Sequence, residues 1–197
     1  MIDVVPAETI GKKRLYQLKI VLKQSNPAIW RRVQVASDIT FAELHKVIQA
    51  AMGWHECQLH EFCRGKLHIG MLLPDDEEFV DDEKAIKLHA VIMKKGEKFR
   101  YTYDFADVWV HDIMLEKVGE LDPKVRYPVC LAGERACPPE NSGGLEGYYD
   151  KLAIIKNPQH PAHAETKERI GDFDPEFFDI EEANKFLAVL RISKKQD

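Results

Sequence analysis

An alternation of aromatic and polar residues at positions 98–105, KFRYTYDF, limits the possible folds of this chain more than any other segment. Successive side chains of a β-strand point to opposite faces, so the aromatic residues share one face and the basic residues share the other. Ala106 and Asp107 then indicate a turn, and residues 109–115 alternate again as a returning strand. We therefore expect a hairpin with a buried aromatic face. The aromatic residues are Phe99, Tyr101, Tyr103 and Phe105.

The segments that precede this hairpin predict a second hairpin and a helix. Residues 16–23 and 29–35 alternate in polarity and are joined by the turn sequence SNP. Thr40 and Glu43 have the spacing of a capping box, in which each side chain satisfies a free backbone donor at the helix start. An apolar stripe continues to Gly53, which favours the left-handed end of a helix.

Short apolar runs elsewhere indicate further elements. We expect a third strand between residues 59 and 69, another over residues 86–93, and an edge strand over residues 127–131, because Pro128 removes a backbone donor. A helix should follow Gly144. A last helix should cover residues 179–190 with Asp179 as its cap. Its predicted buried stripe is Ala183, Phe186, Leu187 and Leu190.

This order of elements predicts an α+β fold. Hairpins form antiparallel pairs, and an amphipathic helix buries its apolar stripe against a sheet. We expect a mixed, mostly antiparallel sheet with a helix across one face, a ββαβ start similar to the β-grasp arrangement, and a helical C-terminal part. Residues 1–197 should form a single domain, with a sheet-forming part over 14–131 and a loop and helical part over 132–197.

Composition and charge narrow the class of protein. The net charge of −5 disfavours a protein that mainly coats phosphate backbones, which needs many basic residues. The first residues lack the basic start and apolar run of a signal peptide, and no run has the roughly 18 apolar residues of a membrane span. We expect a cytoplasmic protein without membrane contact, in which the four cysteines remain reduced.

The turn of the aromatic hairpin carries the first candidate chemistry. Asp104 and Asp107 flank the turn, and Trp109 and His111 follow on the same side as Asp107. Asp and His together can act as an acid–base pair or bind a divalent metal such as zinc or manganese. An Asp in a turn also caps backbone amides, and a His beside a Trp is often a buried structural group. Both interpretations stay open.

The loop at residues 137–144, CPPENSGG, carries the second candidate chemistry. Its prolines restrict the backbone and would hold Glu140 in place. Asn141 follows, and Gly143 and Gly144 precede a predicted helix whose free N–H groups could bind an anion. A loop that only closes the core is the structural alternative.

The adjacent arginines of the second strand should lie on opposite faces of the sheet. Arg31 and Arg32 alternate, so one of them is close to the core and needs a partner. A salt bridge is the structural interpretation, and an anion ligand is the functional one. Histidines near the first helix, His45 and His60 among them, lack the spacing of two His on one helical face. We expect them to be surface or hydrogen-bonded side chains.

Several motifs of this chain resemble the plasmid pRiA4b ORF-3-like family, which is also associated with insertion elements. The resemblance runs from about residue 16 to 187 and implies an α+β fold without specifying a reaction. The matching motifs are PAIWRR at 27–32, Leu44-His45, Gly53-Trp54, LHEF at 59–62, YTYDF at 101–105, Trp109-Val110-His111, Tyr127-Pro128, and CPPE at 137–140 with Gly143-Gly144.

The chain departs from the pattern of that family at three positions. Ala106 stands where the family usually has Gly, Asn141 where it has Asp, and Gln58 where His is common. The loss of the acid at position 141 weakens a metal site built from two carboxylates.

These observations lead to one main hypothesis and two alternatives. The chain is expected to be a binding or interaction module for a small ligand or a protein, without a cofactor, with a polar pocket between residues 104–111 and 137–144. The first alternative is a metal-assisted hydrolase or nuclease at the same place. The second is a nucleic-acid-binding accessory protein that uses Arg31, Arg32, Lys98 and Arg100.

The pocket candidates are Arg31, Arg32, Asp104, Asp107, Trp109, His111, Glu140, Asn141, Gly143 and Gly144. The alternative metal ligands are Asp104, Asp107, His111 and Glu140.

Overall fold

A computed structural model describes residues 13–71, 80–190 and 192, and the rest of the predicted 1–197 domain lies outside these ranges. The described strands form one eight-stranded sheet in the order β5-β4-β3-β6-β7-β1-β2-β8. Neighbouring strands are antiparallel except for the parallel pair β4 and β5. The strands are β1 (Leu15–Leu22), β2 (Trp30–Ala36), β3 (His60–Arg64), β4 (Leu67–Gly70), β5 (Asp81–Asp82), β6 (Lys98–Tyr103), β7 (Trp109–Gly119) and β8 (Val129–Glu134).

Five helices accompany the sheet in the described part of the chain, so the α+β class predicted from the sequence is confirmed. The first of them begins with the predicted capping box between Thr40 and Glu43 and ends at Gly53, which has a φ of 92°. Its apolar face packs on the aromatic face of the sheet, where Phe41 meets Phe62 and Phe99 edge to face. The helices are α1 (Phe41–Met52), α2 (Leu88–Val91), α3 (Gly144–Lys156), α4 (His163–Ile170) and α5 (Ile180–Val189).

The aromatic hairpin predicted from the alternating pattern is the pair β6 and β7. Phe99, Tyr101 and Tyr103 are buried as predicted. The prediction was wrong for Phe105, whose side chain is 54% exposed. Asp104 has a φ of 57°, so the extended geometry ends one residue earlier and the alternation no longer holds at Phe105.

Two segments between α1 and β6 differ from the predicted strands. Residues 59–69 form the hairpin of β3 and β4 around Gly65, not one strand. Residues 86–93 contain the short helix α2, not a strand. The N–H groups of Leu88 and His89 donate to the carbonyls of Ile39 and Ser37, which docks this segment beside the start of α1. A short apolar run has no periodicity that distinguishes a strand from a buried helix.

The helix α5 packs beside α1 and against the edge strand β8. The amide of Asn184 accepts from Cys130 N at 2.8 Å and donates to Cys130 O at 3.0 Å, so it bonds to both backbone groups of one edge residue. Ala183 and Leu187 are buried as predicted. Phe186 was predicted to be buried as well, but it is 47% exposed because α5 covers the edge of the sheet and leaves this side of the helix open.

None of the helices within residues 13–71 and 80–190 has the length and apolar character that a membrane crossing requires.

Candidate functional site

The turn of the aromatic hairpin and the loop at residues 137–144 contact each other directly. Asp107 Oδ2 accepts from Gly143 N at 3.0 Å. Tyr103 OH donates to Glu140 Oε1 at 2.6 Å, and burial together with this bond raises the pKa of Tyr103. A Cβ atom added at Gly144 would lie 2.6 Å from the carbonyl oxygen of Asp107. We call this contact the hairpin–loop seam.

The carboxylate of Asp104 is used inside the turn. Asp104 is buried and accepts from Ala106 N at 3.0 Å and from Asp107 N at 3.2 Å through Oδ1. This is the backbone-capping arrangement that short acidic side chains form in turns. It stabilises the positive φ of Asp104 and so fixes the place where β6 ends.

The predicted site residues of β7 lie inside the core. Trp109 is 1% exposed and His111 is fully buried. The His111 ring packs edge to face on Trp54, and Nδ1 donates to Trp109 O at 3.1 Å. Burial lowers the pKa of His111 from 6.5 to about 3, so the ring is neutral in the folded protein.

The four alternative metal ligands point to different partners. Asp104 and Asp107 accept from backbone N–H groups, Glu140 accepts from Tyr103, and His111 bonds to its own strand. Within residues 13–71, 80–190 and 192, no three His, Cys, Asp or Glu side chains are grouped to hold a metal ion. Asn141 is exposed with a φ of 59° in the same loop.

Arg31 and Arg32 lie on opposite faces of the sheet, as their alternation predicts. Arg32 is on the open face and forms a two-bond salt bridge with Glu116 at 2.6 and 3.0 Å. Arg31 is only 1% exposed, and its guanidinium lies 3.9 Å from the centre of the Phe178 ring. A buried guanidinium cannot reach a phosphate backbone, so Arg31 does not belong to a nucleic-acid-binding surface. The basic residues that remain for that alternative are Arg32, Lys98 and Arg100.

A second group of polar side chains surrounds a cavity of about 470 Å³. It includes His45 and His60, which were expected to be surface or hydrogen-bonded side chains and are buried and hydrogen-bonded. His45 of α1 and His60 of β3 stack with ring centres 3.5 Å apart and planes 4° apart. His60 Nε2 bonds to Glu83 Oε2 at 2.6 Å, and both side chains are almost fully buried. His45, His60 and Glu83 all line the cavity, which we call the His cleft.

A chain of hydrogen bonds fixes the tautomer of His45. Glu56 N donates to Gln49 Oε1 at 3.0 Å, so the Gln49 amide nitrogen must be the atom that donates to Tyr101 OH at 3.0 Å. The Tyr101 hydroxyl then donates to His45 Nδ1 at 2.8 Å, and burial keeps it protonated by raising its pKa well above the usual value. The proton of neutral His45 is therefore on Nε2.

Sequence patterns gave little sign of this cleft. The alternation that places Tyr101 in the core says nothing about its hydroxyl group. Glu83 is 23 residues from His60 and is brought there by the backbone bonds Glu83 N to Gly70 O and Ala42 N to Glu83 O. One signal was present: Gln58, a position of departure from the family pattern, lines the same cavity.

We expect Tyr101→Phe to release His45 from its fixed tautomer. Gln49 would lose its acceptor and His45 would lose its donor, at a cost of about 1–2 kcal/mol in the free energy of unfolding. Long-range ¹H–¹⁵N spectra of histidine side chains would measure the tautomer. Tyr16→Phe is the matched control, because that buried hydroxyl donates only to Ile92 O at 2.9 Å. An unchanged His45 tautomer in Tyr101→Phe would contradict the described hydrogen-bond chain.

Comparisons with known proteins give one family model and two similar proteins. The family model described as "Plasmid pRiA4b ORF-3-like protein" matches residues 14–182. The "Uncharacterized protein y4hQ" of Sinorhizobium fredii is 37% identical over 177 residues, which cover 86% of this chain and 88% of that protein. A crystal structure, "Protein of Unknown Function MM3350 from Methanosarcina mazei Go1", is similar with a TM-score of 0.80 and 38% identity, over 87% of this chain and 98% of that one. The chain therefore belongs to the plasmid pRiA4b ORF-3-like protein family.

Proposed function

We propose that this protein is a ligand-binding protein, and that its ligand presents an uncharged amide-like group to His45 and His60 in the His cleft. An amide-like group carries a hydrogen-bond donor beside an acceptor. The observation that carries the proposal is the fixed tautomer of His45 beside a second, oriented His in the wall of one cavity.

The two rings offer complementary groups. His45 carries its proton on Nε2, and that N–H has no acceptor among the described residues. The carboxylate of Glu83 can only accept, so His60 donates to it through Nε2. In neutral His60 the remaining nitrogen, Nδ1, is an acceptor. A ligand therefore finds one donor and one acceptor on parallel rings 3.5 Å apart.

The charges around the cleft favour a neutral ligand. Lys46 and Lys84 line it together with Glu43, Glu56 and Glu83, so charges of both signs are nearly balanced. Glu43 is already engaged in the cap of α1, and Glu83 is bonded to His60. A strongly charged ligand would meet both opposite and like charges, which gives little net attraction.

The His cleft is better suited to bind a ligand than the hairpin–loop seam is. At the seam, Asp104, Asp107 and Glu140 already accept hydrogen bonds from the protein, and Gly144 lies against the backbone of Asp107. A ligand there would have to break these contacts. In the cleft, the free ring nitrogens need no such rearrangement, which lowers the cost of binding.

Uracil and 1,3-dimethyluracil would test the proposal, because methylation removes the donors of uracil and keeps its acceptors. We expect uracil to shift the side-chain signals of His45 and His60 with a dissociation constant of about 1 mM or tighter. Dimethyluracil should cause no shift, and His60→Ala should abolish binding. His68→Ala is the matched control, because His68 forms a similar bond with Glu61 at 2.7 Å on a more exposed part of β4.

Two results would overturn this assignment. Equal binding of both compounds would show that the donor–acceptor pair is not recognised. No shift with uracil, nicotinamide or hydantoin, together with saturable shifts on addition of zinc or manganese, would assign the cleft to metal binding instead.

A further inference from the structure

A smaller cavity of about 210 Å³ lies on the side of α1 that faces α5, away from the His cleft. Arg31 is in its wall, beside the half-buried Cys137 and the apolar side chains of Met52, Phe177, Phe178 and Phe186. Phe177 and Phe186 are 59% and 47% exposed, so they form an open apolar rim. The cavity therefore joins a buried cation to an apolar entrance.

A count of hydrogen-bond donors shows what Arg31 has left to offer. The guanidinium has one N–H on Nε and two on each terminal nitrogen. Nε donates to Ala51 O at 2.9 Å, and Nη1 donates to Trp30 O at 2.9 Å and to Glu134 O at 3.0 Å. Within the described part of the chain, the two N–H groups of Nη2 have no acceptor.

The groups that bond to Arg31 do not neutralise its positive charge. Its three acceptors are neutral carbonyls, and its remaining contact is the Phe178 ring at 3.9 Å. Burial lowers the pKa of Arg31, as expected for a desolvated cation without a bonded counter-ion. Asp179 and Glu182 line the cavity, but Asp179 is engaged as the cap of α5.

We propose that this cavity binds a small carboxylate with an attached apolar group, held by the two free N–H groups of Arg31 Nη2. The carboxylate supplies the acceptors and the counter-charge that the guanidinium lacks, and charge-assisted bonds of this kind are stronger than neutral ones. The apolar part of the ligand would cover Phe177 and Phe186. A phosphate fits less well, because it would need more donors than Nη2 provides and would meet apolar walls.

Benzoate and benzamide are matched probes for this site, since they differ mainly in charge. We expect benzoate to bind measurably in isothermal titration calorimetry and benzamide to bind about tenfold more weakly or not at all. Ala136→Leu, which adds bulk to the cavity wall, should abolish benzoate binding while the protein stays folded. Glu182→Gln removes a like charge and should tighten benzoate binding by up to about fivefold.

These variants leave Arg31 in place, so the test does not depend on a substitution that removes a buried cation. Equal affinity for benzoate and benzamide would overturn the proposal, because the guanidinium would then not recognise charge. Benzoate binding that survives Ala136→Leu would overturn it as well, since the ligand would be elsewhere. Absence of benzoate binding to both the wild type and Glu182→Gln would show that the cavity takes no such acid.

Discussion

Acidification should destabilise this protein at pH values above those at which most carboxylates become protonated. Burial lowers the pKa of His45 and of His111 from 6.5 to about 3. Below pH 6.5 the unfolded chain takes up a proton at each of these residues, while the folded chain does not until about pH 3. The stability that they contribute is complete above the unfolded pKa and is lost as the pH falls through this window.

The expected loss is large relative to the stability of a domain. Each histidine contributes about 1.4 kcal/mol per pH unit, so the pair lowers the free energy of unfolding by about 5 kcal/mol at about pH 4.5. Domains of this size are stable by roughly 5–15 kcal/mol in total. Urea unfolding at a series of pH values between about 5 and 6.5 would measure the slope before most carboxylates titrate.

His111→Phe provides the internal control for this slope. The variant removes one of the two titrating rings and keeps an aromatic side chain at a fully buried position. We expect the slope to fall by about 1.4 kcal/mol per pH unit, whatever the absolute stability of the variant. A slope that is the same in the wild type and the variant would mean that His111 is protonated in the folded protein, contrary to its burial.

Gly144→Ala should destabilise the protein by about 3 kcal/mol or more. Gly144 has a φ of 68°, and an added Cβ would lie 2.6 Å from the carbonyl oxygen of Asp107. The contact is with backbone, so relief would require the hairpin turn and the loop to separate. That movement would stretch the bond between Gly143 N and Asp107 Oδ2. Equilibrium unfolding in urea measures the change.

Gly143→Ala separates the steric effect from backbone strain. Gly143 has a φ of 81°, and an added Cβ would meet only Gly147 Cα at 3.7 Å, which is ordinary contact. Its cost should be the strain of a left-handed residue, about 1 kcal/mol. Similar losses for the two variants would show that the hairpin–loop seam adjusts easily and is not a rigid contact.

Local patterns predicted most of the fold because each depends on residues near in sequence. The Thr40–Glu43 capping box and Gly53 set the bounds of α1, and alternation set the faces of Arg31 and Arg32. Errors occurred where a single backbone angle or a distant partner decided the outcome. The positive φ of Asp104 ends the strand, so Phe105 is exposed and not buried. Residues 88–91 form a helix that is hydrogen-bonded to the carbonyls of residues 37 and 39, and not the predicted strand.

The candidate sites were harder to predict because their partners are far apart in the chain. One of the two adjacent arginines was expected to need a partner, without the pattern showing which. It is Arg31, and its acceptors belong to residues up to 103 positions away. The tautomer of His45 in the His cleft depends on a chain of hydrogen bonds from Glu56 through Gln49 and Tyr101 to His45. The direction of donation in this chain determines where the Tyr101 hydroxyl points. Residue types alone do not carry this information, since Tyr101 satisfies the aromatic pattern whether or not its hydroxyl is used.

The bonds between Asn184 and Cys130 have a consequence for how this sheet meets other molecules. The strand β8 ends the sheet, and a free edge strand is a template on which a second chain can add itself. Asn184 occupies both the N–H and the C=O of Cys130 from the side of α5, as a neighbouring strand would. One side-chain amide therefore protects the protein against edge-to-edge aggregation at this point.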